Sequence, residues 1–291
     1  MKYIYLILFC FIINICWGQV NLSIPNSITK PEERAVYLVQ HYWDSFDFSD
    51  ISFLGNPDET EQAFVNYIDL MKYVKPEVAG SSLTKMVGKT TVNKDVQTYF
   101  FNLFEKYLYD SESPLYNEEL YIPILQSFLS SPSLDEVEKI RPAQLLGLLS
   151  RNRVGEEATD FVYTLKDGQT ASLHKLDSEF LLLYFYDPDC HNCQETVRQL
   201  SASQVVSGLI AANRLKVLAV YAEGDVEVWK KHLSFIPSAW INSYDATMVL
   251  KNDELYDLKS MPTLYLLDRT KKVLLKNVSG SSCLEFLQKQ F

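Results

Sequence analysis

The sequence lacks the features that mark several large classes of protein. It has no run of Lys and Arg, and its net charge of −10 and pI near 5.0 argue against a nucleic-acid binder. It also lacks internal repeats, low-complexity segments and any sign of long disorder or collagen-like sequence. With 47% hydrophobic and 22% charged residues over 291 positions, the composition predicts an ordinary globular chain of about two domains.

An apolar run of 15 residues at the N-terminus is short for a transmembrane helix. It extends from Tyr3 to Trp17, follows Lys2 and precedes the small residue Gly18. This pattern predicts a secretory signal peptide over residues 1–18 and a periplasmic protein, which would contact a membrane only if the segment stays uncleaved. Lipid anchoring at Cys16 is a less favoured alternative, because the bulky Ile15 stands where a small residue is expected.

Cysteines are few, and removal of the signal segment leaves only Cys190, Cys193 and Cys283. The exported compartment permits disulfides. A bond between Cys190 and Cys193 would nevertheless close a very small loop, which constrains the unfolded chain little. A redox role explains this pair better than a structural one. Cys283 opens the last predicted helix, and its spacing favours burial beneath a sheet over activation.

The two halves of the chain differ in pattern. Residues 28–150 carry apolar stripes at helical spacing, with a capping-box pair at Ser133 and Glu136, and predict a bundle of about five helices. Residues 155–291 alternate between strand and helix patterns, which predicts an α/β domain. We predict strands over 161–165, 169–173, 180–186, 215–221, 263–267 and 272–275. We predict helices over 193–211, 226–235, 247–258 and 282–291.

The central motif is Cys190-His191-Asn192-Cys193, which follows a buried strand and opens a helix. Unpaired backbone N–H groups and the helix dipole favour a thiolate at such a position, so we expect Cys190 to be the nucleophile. Cys193, one turn along and more buried, would be the resolving thiol. A protonated His191 would stabilise the thiolate, whereas Asp189 would oppose it by like-charge repulsion.

Residues 155–291 resemble the thioredoxin-like superfamily, in particular its exported branch that includes cytochrome-maturation thioredoxins. The resemblance is carried by Phe161 with the Asp167-Gly168 hairpin, by the strand leading into the cysteine motif, and by Met261-Pro262-Thr263. It implies an α/β sandwich, a cis Pro262 packed against the disulfide, and a Met261 backbone that binds extended substrate. We expect no metal site and no cofactor beyond a redox-active Cys190–Cys193 disulfide.

The chain departs from this family at several positions. Asp189 replaces a common Trp, Tyr184 occupies the place of a buried acid or amide, and Arg198 replaces a proline that kinks the helix. Glu195 lies just beyond the motif, where it is either a proton-transfer acid or a surface residue that stabilises the helix start.

Residues 28–150 resemble a helical domain of unknown function that precedes exported thioredoxin-like domains in anaerobic bacteria. The resemblance rests on four stretches: 31–35, 42–48, 117–123 and 152–155. It implies an architecture but no activity. We expect this domain to dock a partner or to form a homodimer.

The function predicted from these motifs is dithiol–disulfide exchange with protein substrates and with a redox partner that the sequence does not identify. A thiol peroxidase is one alternative, although Asp187 stands where such enzymes carry Thr. A metal-binding module is another, since paired thiolates bind soft metals, but His174 and His232 cannot be placed near the pair from sequence. A non-catalytic interaction module on the same fold is a third.

Overall fold

The structure, a computed structural model, describes residues 22–291 of the chain. The predicted signal segment, residues 1–18, lies outside the described residues. The chain divides between Leu146 and Gly147 into two structural units. No helix in the described range is long and apolar enough to cross a bilayer.

The helices that precede the sheet pack around buried aromatic side chains. They are α1 (Pro31–His41), α2 (Asp58–Leu70), α3 (Pro76–Thr90), α4 (Lys94–Phe104), α5 (Glu118–Leu129) and α6 (Ile140–Leu149). Trp43, Phe64 and Phe100 are almost fully buried. Their rings meet neighbouring rings mostly edge to face or tilted, the arrangement that aromatic pairs prefer. The predicted helical bundle is confirmed.

Two details of this unit differ from the sequence-based expectation. Helix α3 was not predicted, although Leu83, Met86 and Val87 bury one of its faces. The capping box at Ser133 and Glu136 is wrong, because α6 begins only at Ile140. The Asp135 carboxylate instead accepts the N–H groups of Val137 and Glu138 at 2.9 and 3.0 Å, which closes a turn and delays the helix.

The second unit is built on one seven-stranded mixed sheet. Its strands are β1 (Val162–Leu165), β2 (Thr170–Ser172), β3 (Phe180–Tyr186), β4 (Leu215–Tyr221), β5 (Ile241–Tyr244), β6 (Thr263–Asp268) and β7 (Val273–Lys276). They are ordered β2-β1-β5-β4-β3-β6-β7. Strands β3, β4 and β5 run parallel, while β6 pairs antiparallel with β3. The predicted α/β domain and its opening hairpin are confirmed.

Helices cover the sheet, and the central strand contributes to the core on both faces. In β3, Leu182, Tyr184 and Tyr186 belong to one buried cluster, whereas Leu181, Leu183 and Phe185 belong to the other. Successive side chains of a strand point to opposite faces, so a continuous apolar run is what a strand buried on both sides requires. The helices are α7 (His191–Ala202), α8 (Gln204–Ala211), α9 (Val226–Lys231), α10 (Val249–Asn252) and α11 (Gly280–Gln290).

Two helix predictions in this unit need correction. The helix predicted over 193–211 is broken at Ser203, whose side chain caps the N-terminus of α8 by accepting from Val206. The mostly helical stretch predicted over 247–258 contains only the short α10. The Asp245 carboxylate accepts the N–H groups of Thr247 and Leu250, so it organises this segment as a turn.

Candidate active site

Strand β3 and a tight turn place Cys190 at the start of helix α7. Beyond Phe180 every residue of β3 is buried, which holds the C-terminal end of the strand firmly in the sheet. In the turn, Asp187 accepts the N–H of Asp189 through its side chain and that of Cys190 through its carbonyl. The chain then enters α7 at His191, with Cys190 as the N-cap residue.

The sulfur of Cys190 itself caps α7. Its Sγ accepts the backbone N–H of Cys193 at 3.1 Å, the task that a Ser, Asp or Asn oxygen performs at most helix starts. The Cys190 residue is partly exposed to solvent. A thiolate at this position would gain both a hydrogen-bond donor and the positive end of the helix dipole.

Cys193 differs from Cys190 in its exposure to solvent. Its side chain is fully buried, and this burial, assisted by the hydrogen bond with Cys190, raises the pKa of the Cys193 thiol far above its usual range. The Asp187 backbone and the Tyr184 hydroxyl partly oppose this rise in the pKa of the Cys193 thiol. Both cysteines are free thiols, so the structure shows the dithiol form.

The segment Met261-Pro262-Thr263 lies beside the motif, although it is distant in sequence. The Met261–Pro262 peptide bond is cis, as expected from the resemblance. Thr263 begins β6 and pairs with Phe185 of β3, while its hydroxyl donates to the Ser260 carbonyl. This register brings the Met261 carbonyl within 3.4 Å of the Cys190 sulfur.

The remaining predicted site residues lie towards solvent. Asp189, His191 and Asn192 are exposed around the entrance to α7. The side chain of Glu195 is 68% exposed and pairs with Arg198 at 2.8 Å. This geometry favours the interpretation of Glu195 as a surface residue over that of a proton-transfer acid.

Tyr184 is the residue whose role the sequence did not indicate. In the sequence, Tyr184 is only a departure from the family pattern. In the structure, its buried hydroxyl donates to the Cys193 carbonyl at 2.8 Å. The available signal was positional. Tyr184 and Tyr186 share a face of the strand that ends at the motif, so the strand period predicts that both lie on the face that α7 covers or that neither does.

The other histidines and the third cysteine lie in structural contacts. His174 bonds to the Ala158 carbonyl, His232 bonds to the Val228 carbonyl, and His41 pairs with Asp44. Cys283 is fully buried in α11, as expected. Within residues 22–291, no three or more His, Cys, Asp or Glu side chains form a group that could hold a metal ion.

Comparison with solved structures identifies the family. A thioredoxin-like protein from Bacteroides caccae is 42% identical, with a TM-score of 0.88 over 93% of this chain and 98% of its own. The chain belongs to the thioredoxin-like proteins. The resemblance inferred from the cysteine motif and the Pro262 segment is thus confirmed for fold and family.

Other comparisons concern parts of this thioredoxin-like protein. Residues 18–152 match a family described as a domain of unknown function, DUF5106, which agrees with the resemblance inferred for the helical region. The C-terminal domain of an uncharacterized protein from Bacteroides fragilis is 42% identical, with a TM-score of 0.46 over 47% of this chain and 98% of its own. A domain of a possible thiol-disulfide isomerase from Cytophaga hutchinsonii is 25% identical, with a TM-score of 0.41 over 48% of this chain and 95% of its own. No curated protein matches the chain significantly.

Proposed function

We propose that this thioredoxin-like protein exchanges disulfides with protein substrates through Cys190 and Cys193. The observation that carries the proposal is the contrast between the two thiols. Cys190 is partly exposed and its sulfur accepts a helix N–H, while Cys193 is fully buried one turn behind it. Exchange requires two thiols in different environments, because one thiol must reach the substrate and the other must stay unreacted until a mixed disulfide has formed.

The reaction has two steps. The Cys190 thiolate attacks one sulfur of a substrate disulfide, and the other substrate sulfur leaves as a thiolate. Cys193 then loses its proton and attacks Cys190, which forms the Cys190–Cys193 disulfide and releases the substrate as a dithiol. In the opposite direction the same two cysteines would oxidise a dithiol.

The residues around the pair fit this chemistry. The Met261, Pro262 and Thr263 segment flanks Cys190 and would bind an extended substrate strand. The exposed His191 and Asp189 would act on the thiolate in opposite senses. We further propose that residues 1–18 export the protein to the periplasm, where an unidentified redox partner regenerates it, and that the helical unit docks a partner or a second copy.

Trapping of the mixed disulfide tests the central proposal. In the full chain, Cys193→Ala removes the resolving thiol, so covalent adducts with substrate proteins should accumulate on Cys190. The matched controls are Cys193→Ala combined with Cys190→Ser, which should lose every adduct, and Cys193→Ala combined with Cys283→Ala, which should keep them. If no adduct forms and the wild type also fails to catalyse insulin reduction by dithiothreitol, the protein is not an exchange enzyme.

A further inference from the structure

Tyr184 lies directly beneath the resolving cysteine. Its hydroxyl donates to the Cys193 carbonyl at 2.8 Å, so it contacts the same residue whose thiol is fully buried. No part of the Tyr184 side chain reaches solvent. The hydroxyl is therefore a fixed polar group beside a buried thiol that has to ionise during exchange.

The surroundings of Tyr184 allow its hydroxyl to donate a hydrogen bond, but they prevent the hydroxyl from losing its proton. Burial, followed by the nearby Cys193, raises the pKa of Tyr184 far above its ordinary value. The ring is held by stacking on Tyr186 and by an edge contact with Trp240. With the ring so held, only the hydroxyl has to turn in order to stabilise a thiolate, but the group cannot act as a general base.

We propose that Tyr184 is a positioning residue for the resolving step, whose hydroxyl turns from the Cys193 carbonyl to the Cys193 sulfur as that thiol becomes a thiolate. This inference rests on the exchange function proposed above. The Asp187 backbone and the Tyr184 hydroxyl both act to lower the pKa of the Cys193 thiol, so each favours the thiolate in this buried site.

The step balances without a further reactant. In the mixed disulfide, the Cys193 thiol gives its proton to solvent, and its sulfur attacks the Cys190 sulfur. The bond between Cys190 and the substrate breaks, and the substrate sulfur leaves with the electron pair and takes a proton from solvent. The protein loses two electrons and the substrate gains them, while Tyr184 keeps its own proton throughout.

Tyr186 provides a matched control from the same strand. Its ring stacks on that of Tyr184 with a centroid separation of 5.6 Å and an interplanar angle of 6°, and it is equally buried. Its hydroxyl, however, bonds to the Asn242 side chain at 2.9 Å. Tyr184→Phe and Tyr186→Phe therefore remove the same atom from the same face, but only the first removes it from the cysteine pair.

A reagent that reports both exchange steps can test the role of Tyr184 in the full chain. Reduced protein mixed with 5,5′-dithiobis(2-nitrobenzoate) should release one coloured thiol as Cys190 is modified and a second as Cys193 displaces the first adduct. In Tyr184→Phe we expect the second release to slow about tenfold, the effect of losing one hydrogen bond to a charged group. The rate of this second release should also reach half of its maximum at a higher pH than in the wild type. The first release should be unchanged, and Tyr186→Phe should keep both releases.

The outcomes separate the two proposals. If Tyr184→Phe folds and its second release has the wild-type rate and pH profile, Tyr184 has no role in resolution although exchange stands. If it slows at every pH without a shift in the profile, or if Tyr186→Phe slows equally, the effect is structural and the inference is wrong. A wild type that releases only the first thiol would contradict the exchange function itself.

Discussion

Helices α7 and α11 both begin near a cysteine, yet the two cysteines have opposite environments. Cys190 is the N-cap of α7, and its own sulfur accepts a helix N–H. In α11 that task falls to Ser279, whose hydroxyl accepts the N–H of Ser282, while Cys283 lies inside the first turns and is fully buried. The helices are in close contact there, since a side chain at Gly280 would meet Gln199 of α7.

This difference shows under which conditions the start of a helix stabilises a thiolate. The helix dipole and the unpaired N–H groups stabilise a thiolate only when its sulfur lies at the N-cap position, where it can accept those N–H groups. Burial raises the pKa of Cys283 to about 12, because desolvation disfavours the thiolate and that position offers no compensation. Because Cys190 lies at the helix end and is partly exposed, we expect it to be the more reactive of the two cysteines.

Alkylation should separate the two cysteines by the largest factor. With a pKa of about 12 in place of 9.0, Cys283 has about a thousandfold less thiolate at neutral pH than a free cysteine, and burial restricts access further. We expect iodoacetamide to modify Cys190 first and Cys283 at least about a thousandfold more slowly than a free cysteine peptide. Mass spectrometry of peptides from the reduced full chain measures both rates. Cys190→Ser should leave the Cys283 rate unchanged, and labelling of Cys283 at the free-peptide rate would contradict its assignment to the core.

The same burial predicts a loss of stability at alkaline pH. The Cys283 thiol has a higher pKa in the folded than in the unfolded state, so its contribution is complete below about pH 9 and is lost as the pH rises towards about 12. In that window the wild type should lose about 1.4 kcal/mol of unfolding free energy per pH unit relative to Cys283→Ala. Urea unfolding of both proteins under reducing conditions, at a series of pH values, measures the difference. Parallel curves would show that Cys283 does not hold its proton in the fold.

Removal of the Ser279 cap should give the smallest effect. Ser279→Ala loses the hydrogen bond to the Ser282 N–H and should lower the free energy of unfolding by about 1 kcal/mol. Ser279→Asn keeps a capping oxygen and should retain most of that stability. Insulin reduction by either variant should match the wild type, because the α11 cap lies outside the proposed Cys190–Cys193 site. A clear loss of activity in Ser279→Ala alone would show that the two helix starts are coupled.

Much of this architecture was predictable because it follows from local patterns. The apolar run of β3, the turn at Asp167-Gly168 and the cysteine motif at a helix start each depend on residues close in sequence. The predictions that failed involve weak local signals. Helix α3 contains Gly80, Ser81, Ser82 and Gly88, whose low helix propensity hid its apolar face until packing stabilised it.

The helix prediction for the segment after β5 failed for a different reason. Residues 247–258 have enough apolar positions for a helix, but the buried Asp245 binds the backbone of the residues that would begin it. A single carboxylate in the core therefore overrides the propensity of the segment that follows. The break at Ser203 has a similar origin, because a side chain that can cap a helix also starts a new one.

The sequence by itself determined the class of fold and the position of the two cysteines at a helix start, and it predicts the order of their roles, because a strand, a turn and a helix start are encoded within a few neighbouring residues. Only the tertiary structure decided what surrounds them. Met261 reaches Cys190 from 71 positions away through the register of β3 with β6, and Tyr184 reaches Cys193 because that face of β3 lies beneath α7. Such contacts depend on how strands and helices pack, and packing is a property of the whole domain.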